Sequence, residues 1–124
     1  MVPWLPVLLF AAVLPAQIQK LDLKVLYAGV PDHPRTEQWR TFLAAHTTSV
    51  ALADVKTLAD GDGRDADVVI LDCPDPIVRK ADGQPERIAV PSPKGLTAAF
   101  DRPTIVVGGM TLHTDHLQLK SNWL

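Results

Sequence analysis

Three short stretches of this 124-residue chain concentrate the side chains that could do chemistry. Gly29–Arg35 carries Asp32 and His33. Asp72–Asp75 sets two aspartates around Cys73 and Pro74. Gly108–His116 opens with a glycine pair and continues into His113, Thr114, Asp115 and His116. Imidazole and carboxylate groups on neighbouring loops are ligands that suit zinc or another divalent ion, so His113, Asp115 and His116 are weak metal candidates. An H-x-x-H pair without a helix beneath it carries little weight, and the simpler reading is polar loop residues; no metal or other cofactor is expected. His46 is better placed to favour the negative end of its helix. Asp22, Asp72 and Asp75 at strand ends could serve as bases or ligands, although acids also gather there because strand ends meet water. Gly108-Gly109 would let backbone approach a ligand, or supply a turn that needs positive φ. Neither G-x-G-x-x-G nor G-x-x-x-x-G-K-[ST] occurs, so both phosphate-cradling signatures are missing. The single cysteine, Cys73, excludes an internal disulfide. It follows an apolar run and precedes Pro74, which suits a small buried hydrophobe better than a nucleophile.

Positioning these groups requires strands that end where the groups begin. Asp22–Val30 is a short apolar run closed by Gly29 and Pro31, and reads as a buried strand. Arg35–His46 places Trp39, Phe42, Leu43 and His46 at helical spacing, a stripe expected to face the core. Pro34 suits the first turn of that helix. Thr48–Leu52 reads as a second strand, followed by a short helical piece over Asp54–Ala59 and a turn at Gly61–Asp65. Val68–Leu71, the centre of Ala66–Asp72, is apolar on both alternating faces, as a central parallel strand must be. Residues 73–95 hold five prolines and no sustained period, which predicts a long loop. Leu96–Phe100 is expected to close a helical turn, and Pro103–Val107 to form the fourth strand.

This alternation builds an α/β fold: an open parallel sheet with helices on its faces, in the flavodoxin-like order 2-1-3-4 and three αβα layers. Ligands of such sheets bind outside the carboxyl ends of the strands. The expected ligand-binding residues are therefore His33, Asp72, Gly109 and His113.

Residues 2–16 stand apart. The uninterrupted apolar stretch from Leu5 to Ala16 matches the core of a secretory leader, and it is shorter than the roughly 20 residues a bilayer span needs. Pro3, Pro6 and Pro15 argue against a first strand or helix of the domain. The expected organisation is a signal peptide over 1–16 and one domain over 17–124, secreted or periplasmic, with no stable membrane span after leader removal. A net charge of −2 gives no basic footprint for nucleic acid. Only Met110–Leu124 follow the fourth strand, where folds of this kind continue with another helix and strand. The chain is accordingly expected to be the N-terminal part of a longer domain, or else a minimal domain that forms a homo-oligomer across an open edge.

The strand K-V-L-Y-A-G (Lys24–Gly29) running into Asp32-His33 and a helix, together with A-D-V-V-I-L-D (Ala66–Asp72) and P-T-I-V-V-G-G (Pro103–Gly109), resembles the front half of the class I glutamine amidotransferase-like superfamily. The similarity is greatest to its trehalose-utilisation (ThuA-like) branch, found in many exported bacterial proteins, and covers about residues 22–116. It implies a flavodoxin-like sheet and a site made by the loops named above. The glutamine-hydrolysing members carry a cysteine nucleophile in a G-x-C-x-G turn after a strand. Here the comparable residues are Gly108, Gly109, Met110, Thr111 and Leu112, so amide hydrolysis through a thiolate is not expected. The ThuA-like branch keeps a histidine after the first strand, matched by His33, and one after the fourth, matched by His113; its association with sugar metabolism implies a small polar, carbohydrate-like ligand. V-V-I-L-D followed by C-P-D-P is also similar to the phosphoacceptor strand of response-regulator receiver domains, with Asp72 as acceptor. The acidic pair those domains need after strand one is replaced by Tyr27-Ala28-Gly29-Val30. The expectation is therefore an exported ThuA-like domain without the glutaminase cysteine, and the alternative a non-catalytic assembly module.

Overall fold

The structure, a computed structural model, describes residues 17–110. Four parallel strands form its sheet: β1 (Leu21–Gly29), β2 (Thr47–Asp54), β3 (Val68–Cys73) and β6 (Thr104–Gly108), in the order β2-β1-β3-β6. This is the flavodoxin-like order expected from the alternation of elements. The last five residues of β1 and of β3 are all buried. Both strands are central and covered on both faces, which is why their sequences run continuously apolar.

Side chains alternate across the sheet, and two clusters result. On one face Val25, Tyr27 and Ile70 pack with Leu43 of helix α1 (Pro34–His46). On the other, Leu26, Ala28, Val69 and Leu71 pack with Val55, Leu58, Leu96 and Met110. Right-handed crossovers explain the division, since the connection that leaves β1 and the later ones run in opposite directions along the sheet.

Helix α1 starts at the proline that suits its first turn. His33 precedes it in extended conformation, and its Nδ1 accepts the Arg35 N–H at 3.1 Å, a capping role usually taken by Ser, Thr, Asp or Asn. Thr36 Oγ1 donates to the Val30 carbonyl at 2.7 Å, tying the first turn to the end of β1. At the other end Thr47 Oγ1 donates to the Leu43 carbonyl at 2.8 Å, and His46 Nδ1 lies 2.7 Å from that of Phe42.

Several local expectations are corrected. Only half of the stripe on α1 meets the core: Leu43 is buried and Trp39 is half-buried against the same cluster, whereas Phe42 is 54% exposed and His46 lies beyond the cluster. Residues 73–95 are not all loop, for β4 (Ile77–Arg79) and β5 (Pro85–Ile88) pair as an antiparallel hairpin. Its turn uses Gly83 at φ 84°, and prolines are tolerated because the strands are short and edge-exposed. The helical piece falls at Asp60–Gly63 as a 3₁₀ turn, not over Asp54–Ala59. There Val55 N–H instead bonds the Gly29 carbonyl at 3.0 Å and Lys56 N–H an oxygen of Asp54 at 2.8 Å. Leu96–Phe100 makes a single turn, closed by Phe100 N–H on the Thr97 carbonyl at 3.0 Å. The third layer is thus built, among the described residues, from turns and extended chain. Thr97 fastens it to the 3₁₀ turn, donating its N–H and Oγ1 to the Asp60 carboxylate at 2.9 and 2.5 Å.

Candidate functional site at the carboxyl edge

Tyr27 is the one large polar-tipped side chain buried in β1. It shares a sheet face with Gly29 two residues later, and the absence of a side chain there decides where its ring goes. A Cβ placed on Gly29 would lie 2.6 Å from Tyr27 Cε1 and 2.9 Å from its hydroxyl oxygen, so the phenol lies along the strand over the glycine. Tyr27 pairs in register with Ile70; two residues further along β3, on the same face, stands Asp72. The phenol therefore reaches the carboxylate, and Tyr27 Oη donates to Asp72 Oδ2 at 2.6 Å. Arg35, from the first turn of α1, brings Nε to the same oxygen at 2.8 Å. Asp72 is wholly buried, whereas the Arg35 side chain is 36% exposed.

Oδ1, the other carboxylate oxygen, is also buried and has no hydrogen-bond partner among the described residues. It lies beneath the exposed end of β6, because a Cβ on Gly108 would come within 3.1 Å of it and within 2.4 Å of the Cys73 carbonyl oxygen. Gly108 sits at φ 59°, in the left-handed region that favours glycine. Buried polar atoms are nearly always paired, and exceptions concentrate at functional positions.

Burial raises the Tyr27 phenol well above its ordinary range, and the hydrogen bond and negative charge of Asp72 push it the same way. The phenol is therefore a neutral donor throughout the physiological range. Burial also raises the Cys73 thiol, with Asp72 adding to the effect. Cys73 is 2% exposed; it lacks the electropositive, open surroundings of a reactive thiolate. Among the described residues no three His, Cys, Asp or Glu side chains group to hold a metal ion.

No family model, curated protein or solved structure matches this chain.

Of the expected ligand-binding residues, Asp72 lies at the centre of the constellation. His33 joins it indirectly by holding the backbone of Arg35, and also lines a shallow groove with Asp32, Thr36, Glu37 and Leu52. Gly109 is turned elsewhere: a Cβ there would meet Pro76 at 2.6 Å, so the glycine that matters to Asp72 is its neighbour Gly108. His113, Asp115 and His116 lie outside the described residues. Asp75 caps the start of β4 through the Ile77 N–H at 3.0 Å. Asp22 is at the opposite end of the sheet, accepting from Thr48 Oγ1 at 3.1 Å. Sequence reasoning missed Tyr27 and, within the nominated segment Gly29–Arg35, did not single out Gly29 or Arg35; Gly108 was named with Gly109 as a turn needing positive φ, and it has φ 59°. The available signal was a tyrosine two residues before a glycine at the end of a central strand, which leaves room for the ring to run past the strand end.

Proposed function

We propose that this chain is an exported, ThuA-like domain without a glutaminase nucleophile, which binds a small polar ligand at the carboxyl edge of its sheet through Asp72. The observation that carries the binding is the buried carboxylate with one oxygen fixed by Tyr27 and Arg35 and the other unpartnered beneath Gly108. Leaving a charged group's oxygen unsatisfied in the interior is costly. A ligand that brings a hydroxyl or amine donor to Oδ1 removes that cost, and hydroxyl-rich carbohydrate-like compounds are the class proposed. Tyr27 and Arg35 hold the carboxylate in one orientation beforehand, so that little ordering remains for the binding step. The β2-β1-β3-β6 order agrees with what the family resemblance implies, but this winding hosts many activities, and the argument for binding rests on the site.

The test is titration of the protein with glucose, trehalose and myo-inositol, followed by backbone amide shifts at Val107–Gly109. Saturable shifts are expected for at least one of them, lost in Asp72→Asn, which keeps the shape and removes the charge. Gly108→Ala is the second variant: its methyl would crowd Oδ1 at 3.1 Å but also the Cys73 carbonyl oxygen at 2.4 Å, so circular dichroism first establishes that it is folded, and the folded variant should lose the shifts. No saturable shift, or shifts indifferent to both changes, would refute the proposal. A second reading, assembly through β6, is favoured by that strand's position at the sheet edge among the described residues, with Ile105 half exposed. Sedimentation velocity separates it, since Ile105→Lys should dissociate any such dimer.

A further inference from the structure

The outer flank of α1 carries a second feature, independent of the unpartnered oxygen. Arg35, Gln38, Trp39 and Phe42 follow one another at i, i+3, i+4 and i+7 along the helix and line an open groove of about 390 Å³. The aromatic rings form a continuous ladder. Tyr27 stacks on Trp39 at 5.8 Å between centroids, Trp39 meets Phe42 edge to face at 6.1 Å and 89°, and Phe42 stacks on His46 at 4.4 Å. The perpendicular Trp39–Phe42 pair makes a notch with a ring face on one wall and a ring edge on the other. A flat six-membered ring satisfies both walls at once, since rings prefer offset-stacked and edge-to-face contacts. Phe42 remains 54% exposed, so the notch is open to solvent.

One helical turn before Trp39 stands Arg35. Its Nε is committed to Asp72, while no hydrogen bond engages its two Nη groups among the described residues. A guanidinium can hold one carboxylate through Nε and present its remaining donors to another. No acidic side chain lines the groove, and Gln38 adds an amide able to donate. Charge and shape therefore select the same occupant.

We propose that this groove binds a small carboxylate carried on a flat ring by a short arm, with the ring in the Trp39–Phe42 notch and the carboxylate on the Arg35 Nη donors. The spacing favours an arm over direct attachment, because successive turns of a helix are about 5.4 Å apart.

The experiment titrates the full chain with phenylacetate, with phenylacetamide (the same ring without charge) and with acetate (the charge without the ring), following the Trp39 indole N–H by NMR. Phenylacetate should bind with a Kd on the order of millimolar, as expected of a ligand of about ten heavy atoms, and at least about tenfold more tightly than either control. Phe42→Ala, a change at an exposed helix position that leaves the core intact, should weaken it several-fold, and Arg35→Gln should bring phenylacetate down to the level of the amide. Phenylacetate should move the Trp39 signal and leave the Val107–Gly109 amides in place, whereas a carbohydrate at the carboxyl edge should do the reverse; the two sites therefore fail separately. Equal shifts from all three compounds, no saturation by phenylacetate, or binding unaltered in Phe42→Ala would overturn the assignment.

Discussion

Replacing Tyr27 by phenylalanine isolates the hydrogen bond on which the buried aspartate depends. The ring keeps its volume, its stack on Trp39 and its position over Gly29; only the donor to Asp72 Oδ2, 2.6 Å away, is removed. Hydrogen bonds to charged groups contribute about 1.5–3 kcal/mol, and a buried partner left short of donors puts the cost at the upper end. Among the described residues Oδ1 has no partner, so Arg35 is the one donor to the carboxylate that would remain. For a domain of about 100 residues this corresponds to a fall in Tm of roughly 6–20 °C at pH 7. The pH dependence supplies a second, sharper test. The phenol titrates higher in the folded protein than in the unfolded chain, so above pH of about 10 the unfolded state loses its proton first. The native state then binds more protons than the unfolded one, and stability falls as pH rises, by up to about 1.4 kcal/mol per pH unit for one fully coupled group. The phenylalanine variant lacks that loss. Thermal denaturation followed by circular dichroism from pH 7 to 11.5 should therefore show the two curves converging on the alkaline side. A Tm change at pH 7 of under about 2 °C, or curves that stay parallel through the alkaline range, would refute the phenol–carboxylate bond.

Two further predictions concern the same edge. Gly29→Ala drives a methyl to 2.6 Å from Tyr27 Cε1 and should cost about 1–3 kcal/mol in urea denaturation, as overpacking does. Combining it with Tyr27→Ala should be clearly less than additive, because the ring it collides with is gone; strict additivity would show that the ring does not lie over the glycine. Cys73, buried and with its thiol raised, should react with a disulfide reagent at least about a hundredfold more slowly in the native protein than in denaturant. A native rate close to that of the unfolded chain would place the thiol at the surface.

The parts of the fold that were legible in the sequence are those whose burial is unambiguous. Val25–Tyr27 and Val68–Leu71 are apolar on consecutive residues and bounded by glycine or charge, so they could only be central parallel strands. Pro34 and the run to His46 marked α1 almost to the residue. The hairpin at 77–88 was hidden because its strands are three and four residues long and mostly exposed, the second opening on Pro85. Propensity and periodicity carry no signal at that length. The face of α1 was misjudged in part for a related reason: Leu43 and Trp39 meet the core, but Phe42 and His46, at the same helical spacing, stack on each other along the outer flank, and spacing alone does not distinguish the two.

By itself the sequence determined the parallel α/β architecture and the strand order, because hydrophobic burial and crossover handedness act on local patterns that can be read in one dimension. It also pointed to Asp72, an acid closing the most apolar strand of the chain. Only the tertiary structure decided what Asp72 touches. Register brings Tyr27 level with Ile70, the bare backbone of Gly29 lets the phenol run on to the carboxylate, and the first turn of α1 delivers Arg35 to the same oxygen. Those partners come from residues 37 and 45 positions away in the chain, and a distance across strands has no counterpart in spacing along one.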